Sequence, residues 1–146
     1  MALKGQVPNV YSVGLQNVGS YQVSGIPWVT GSSIVGNGAG LGGVNGEDKL
    51  SFPYVTKSIL VTRTAGNDPL CIAFAPKAQA NVVSGRHYWS LVAAGDSVTL
   101  NVKCTDLYLF VVGPGGSDTA DYEMVVELTN IPTGRMYALA GSGIDE

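Results

Sequence analysis

His87 is the one histidine in the chain, so any Ser-His-Asp or Cys-His relay would have to run through it. It lies in "GRHYWSL", where strand alternation places His87, Trp89 and Leu91 on one face and Arg86, Tyr88 and Ser90 on the other. A histidine sharing a face with tryptophan reads as a packed, hydrogen-bonded side chain. No GxSxG elbow supplies it with a nucleophile. Cys71 ("LCIAF") and Cys104 ("NVKCTDL") sit among apolar neighbours with no CxxC spacing, which reads as two buried thiols, with a disulfide as the alternative. A zinc site would need further ligands that no cluster provides, so no metal or cofactor is expected.

The carboxylates give no catalytic pair either. Glu123 and Glu127 are four residues apart on one strand face, roughly 13 Å at strand rise. Glycoside hydrolysis needs about 5 to 9.5 Å. Asp118 and Asp121 in "GSDTAD" offer hard oxygen ligands, but two in one loop do not define a calcium site. Gly38, Gly40 and Gly43 match GxGxxG formally. The continuation "VNGEDKLSFPYV" is strand-like, whereas a dinucleotide site needs a helix whose N-terminus meets the pyrophosphate. Tyr21, Trp28, Tyr54, Tyr88 and Trp89 could stack on sugars, but they read better as core and interface anchors. No enzyme is expected.

The elements that would carry these residues are strands. "PYVTKSILVTR" is rich in β-branched residues and ends at the turn "AGNDP"; "LCIAFA" stops at Pro76. "RHYWSLVA" and "SVTLNVKC" follow, and "DLYLFVV" is continuously apolar, as a central strand covered on both faces would be. "DYEMVVELTN" alternates, with Tyr122, Met124, Val126 and Leu128 inward and Glu123 and Glu127 outward. "RMYALA" reads as a short last strand. No window keeps a helical period over three turns. The expected fold is all-β, a single antiparallel β-sandwich or barrel of about six to eight strands over residues 50–146.

Residues 1–49 differ in character. From Gly5 to Gly46 there is no Asp, Glu, Lys, Arg or His. Charged residues make up 13% of the whole chain, against roughly 25% in a typical domain. The short alternations around Tyr21 and Trp28 could add edge strands, while "GSSIVGNGAGLGGVNG" is too rich in glycine to order by itself. An extended Gly-rich N-terminal arm, separable from the body and clamped on a protein surface, is therefore expected. Tyr21, Ile26, Pro27 and Trp28 are its candidate anchors, Pro27 by presetting an extended backbone and Trp28 by its large apolar area. Net charge is −3 without a basic cluster, which argues against nucleic-acid binding. No signal peptide or apolar run of membrane-spanning length is evident, so a product that stays in the cytoplasm where it is made, off the membrane, is expected.

The phrases "GSYQVSGIPWVTGS", "FPYVTKSILV", "NVVSGRHYWSL", "TLNVKC" and "DYEMVVELTNIPTGRMYALAGSG" resemble small virion structural proteins of marine tailed bacteriophages, particularly cyanophage-like ones. The resemblance spans about Val18 to Gly143. It implies a capsid decoration or cement protein that is assembled into the virion in the host cytoplasm. Its implied partners are the major capsid protein and sibling copies in a homo-oligomer. A tail, fibre or knob component, or a host-glycan-binding module, is the alternative. The resemblance carries no catalytic, ligand or metal motif onto particular residues.

Overall fold

The alternation in "DYEMVVELTN" becomes the longest strand of the molecule because every second residue finds a core and every other one finds solvent. A computed structural model describes residues 14–16, 18–22 and 25–146. Its strands are β1 (Ile26–Val35), β2 (Glu47–Ser51), β3 (Tyr54–Gly66), β4 (Leu70–Ala73), β5 (Trp89–Leu91), β6 (Ser97–Leu100), β7 (Asp106–Phe110) and β8 (Thr119–Pro132). They form two antiparallel sheets of four, in the orders β1-β8-β3-β6 and β2-β7-β4-β5. The all-β expectation holds, and the two sheets make a sandwich.

The core lies between them. Ile34, Ile59, Val61, Met124 and Val126 of the first sheet meet Leu50, Leu70, Leu107 and Leu109 of the second. The second sheet is covered on its other face too. There Cys71, Ala73, Tyr108 and Phe110 pack with Val82 from the short helix α2 (Ala80–Ser84). Strand β7 lies inside that sheet with both faces covered, which is why its sequence is apolar without alternation. The helix, only five residues long, is too short for a periodic signal.

Two expectations need correction. "RMYALA" is not a strand: Thr133–Arg135 forms a 3-10 turn, and the chain then runs irregularly, with Leu139 packed on the main core and Ile144 on the second. Within it Leu139 packs on a core while Tyr137 is 62% exposed, so the segment lacks the alternating buried face of a ladder strand. The second concerns the arm. Residues 1–13, 17, 23 and 24 of it lie outside the described residues, but from Ile26 onward the chain belongs to the sandwich. β1 pairs with β8 along its whole length, from Ile26 opposite Leu128 to Val35 opposite Thr119. Ile34 is 1% exposed in the core.

The glycine-rich stretch is clamped by the protein itself. The backbone N–H of Leu41 donates to Asp48 Oδ1 at 2.8 Å, and that of Lys49 donates to the Leu41 carbonyl at 2.7 Å. Gly40 is required by this folding back, since a Cβ there would stand 1.7 Å from the carbonyl oxygen of Glu47. β2 follows directly, so no helix opens after the formal GxGxxG.

Candidate interaction surface

The four expected anchors do not act as one group. Tyr21, in the single-turn helix α1 (Gly19–Gln22), lies with its ring 5.0 Å from Lys103 Nζ, and that ammonium also donates to the Leu15 carbonyl at 3.0 Å. The Tyr21 hydroxyl is buried without a hydrogen-bond partner among the described residues. Trp28 turns inward and meets Phe52 edge-on, with ring centroids 5.1 Å apart. Ile26 and Pro27 remain exposed at the start of β1, opposite Leu128 and Glu127. Half of the set therefore faces the protein's own interior.

The residues weighed for catalysis are also dispersed. The ring Nδ1 of His87 is buried and unpartnered among the described residues, while its backbone N–H donates to the Val82 carbonyl at 2.9 Å. Preceding it, Arg86 has a left-handed φ of 57°. Trp89 extends into solvent while Leu91 is buried, although both lie on one side of β5. Tyr88 packs edge-on against Phe110. Cys71 and Cys104 are free and belong to different cores. Burial pushes the Cys71 thiol up to about 12 and the Cys104 thiol to about 11, so neither is a ready nucleophile. Asp118 accepts from the Gly115 N–H at 2.7 Å and Asp121 from the Ser33 hydroxyl; no group of metal-ligating side chains occurs among the described residues. No described helix is long and apolar enough to cross a membrane.

What stands out is the outward face of the β1-β8-β3-β6 sheet. In register, Val29 of β1 lies opposite Val125 of β8, Val125 opposite Leu60 of β3, and Leu60 opposite Thr99 of β6. Val29 is 70% exposed, Val125 44% and Leu60 39%, so an apolar band crosses the sheet in open solvent. One row along, Gly31, Glu123 and Thr62 are in line; on the other side of the band stand Pro27, Glu127 and Ser58. The band and the Gly31 row frame a shallow groove of about 460 Å³ lined by Val29, Gly31, Leu60, Thr62, Glu123 and Val125.

The charge on this face is acidic. Glu127 pairs with Lys57 at 3.8 Å and accepts from the Ser58 hydroxyl at 3.3 Å. Glu123 has no hydrogen-bond or ion-pair partner among the described residues. Sequence reasoning missed Val29, Leu60 and Val125. The signal existed for Val125: in "YEMVVEL" it occupies the outward parity of Glu123 and Glu127, where a polar residue would be the norm for a solvated face.

Compared with known proteins, the chain matches no family model and no curated protein.

Proposed function

We propose that this chain is a non-enzymatic structural protein of a virion, a head decoration or cement protein that binds the major capsid protein and reinforces the shell in many copies. The observation that carries a binding role is the solvent-open apolar band of Val29, Val125 and Leu60, which stand in register across one sheet face. A second support is the low charge of the chain, 13% of residues, which suits a surface that packs against neighbours. The resemblance of the quoted phrases to phage virion proteins supplies the virion as the setting. The dispersal of His87, the thiols and the carboxylates favours a non-catalytic role.

The test has two parts. Purified protein is mixed with shells lacking it and co-sedimented, and its copy number per virion is read from a stained gel. Saturable binding and on the order of hundreds of copies are expected for a decoration protein in a closed symmetric shell. A copy number near six or twelve would move the protein to the tail, again on symmetry grounds. Absence from purified virions would end the virion reading.

A further inference from the structure

We infer that the outward face of the β1-β8-β3-β6 sheet docks a protein surface that presents apolar side chains flanked by lysine or arginine. This rests on the reading above that the protein works by binding, and it adds where the contact lies and what chemistry fits it. The apolar band of Val29, Val125 and Leu60 supplies the contact area, and its borders set the sign of the partner. Asp121, Glu123 and Glu127 project from β8, the strand at the centre of the band, on the same side as Val125. Lys57, the cation beside them, is already paired with Glu127 at 3.8 Å.

Gly31 shapes the contact further. It stands opposite Glu123, and because it has no side chain the carboxylate can be approached from the β1 side. A Cβ at Gly31 would lie 2.9 Å from the Tyr122 carbonyl oxygen and 3.7 Å from Glu123 Cγ. The geometry suits a long cationic side chain, with its methylene stem over Val29 and Val125 and its head on Glu123. A second copy is a poor occupant. Two such faces brought together place the acidic rows of both molecules in one interface, and like charges so placed oppose association.

The probes are two immobilised peptides of equal length, one alternating leucine and lysine and the other leucine and glutamate, with the full chain as analyte. Binding to the lysine peptide is expected to be at least about tenfold tighter than to the glutamate peptide and to weaken with added salt. The double variant Leu60→Thr/Val125→Thr, and separately Glu123→Gln, should each weaken it by about tenfold while melting as the wild type does. Glu146→Gln, which removes a carboxylate away from this face, should leave binding unchanged. Equal affinity for both peptides, or variants that bind like the wild type, would overturn the inference. So would self-association in sedimentation velocity that the double variant abolishes, because the occupant would then be a second copy. Shell co-sedimentation of the same variants separates the two claims. Wild-type protein that binds the lysine peptide but not shells removes the virion setting and keeps the face. Shell binding indifferent to the variants keeps the setting and removes the face.

Discussion

Asp48 is 1% exposed, and its two oxygens join parts of the chain that are far apart in sequence. Oδ1 accepts from the Leu41 N–H and Oδ2 from the Tyr122 hydroxyl, each at 2.8 Å, so one carboxylate pins the glycine-rich turn and ties the two sheets. Hydrogen bonds to a buried charge are among the stronger ones, so Tyr122→Phe should lower stability by about 1.5–3 kcal/mol in urea unfolding. An unchanged midpoint would mean that Asp48 finds another donor. Next to it, Glu47 is also buried and accepts from the Lys77 backbone N–H at 2.5 Å. Desolvation raises its pKa above the ordinary 4.5, with that hydrogen bond and the Lys77 charge opposing the shift. The folded state then binds more protons than the unfolded one between 4.5 and the raised value. The contribution of Glu47 to stability is therefore full below 4.5 and is lost as pH rises through that window. Urea melts at several pH values should show wild-type stability declining relative to Glu47→Gln as pH goes from acid to neutral; a constant difference would refute the shift. The thiols give a simpler readout: Cys71 and Cys104 should be silent to an aromatic disulfide reagent at pH 8 until the protein is unfolded, when both react.

At the scale of elements, β1 decides what can be removed. It is the edge partner of β8 and contributes Ile34 to the core, with Trp28 packed against it. Deleting residues 1–46 would strip the strand, expose the β8 edge and remove the turn that Asp48 anchors. Such a truncation should be insoluble or unfolded by circular dichroism, and Ile34→Ala alone should cost about 2–5 kcal/mol. A soluble, folded truncation would restore the separable arm. The sequence made β3, β4, β7 and β8 legible because each has an unambiguous period or an unbroken apolar run of strand length. β1 was harder to read: "IPWVTGSSIV" has only part of its inward face apolar, since Thr30 and Ser32 share that parity with Trp28 and Ile34. The absence of charge looked like a sign of a foreign partner, yet much of that stretch is satisfied by the protein's own backbone. The candidate surface was less legible still, because a band across three strands is set by register, and register is a long-range property that no local window contains.

For the whole molecule, the connection between first and last strands matters most. β8 lies between β1 and β3, so the sheet is incomplete until the C-terminal part of the chain arrives. Pairing this distant in sequence slows folding and joins β1 and β8, the first and last described strands, in one cooperative unit. The Asp48–Tyr122 bond and the shared core between the sheets act in the same direction. The two sheets should therefore unfold together, which two probes can test. Trp28 sits against Phe52 at the edge of the main core, whereas Trp89 is 62% exposed on β5 of the other sheet. In a Trp89→Phe variant the fluorescence reports Trp28 alone, and in Trp28→Phe it reports β5. Within each variant, the fluorescence midpoint in urea should coincide with that of far-ultraviolet circular dichroism, as a two-state domain requires. Within-variant agreement also removes any stability change that the substitution itself introduces. Separate midpoints would show that the β2-β7-β4-β5 sheet opens independently. The apolar band would then rest on a platform that can outlast its partner sheet, and docking would no longer require the intact sandwich.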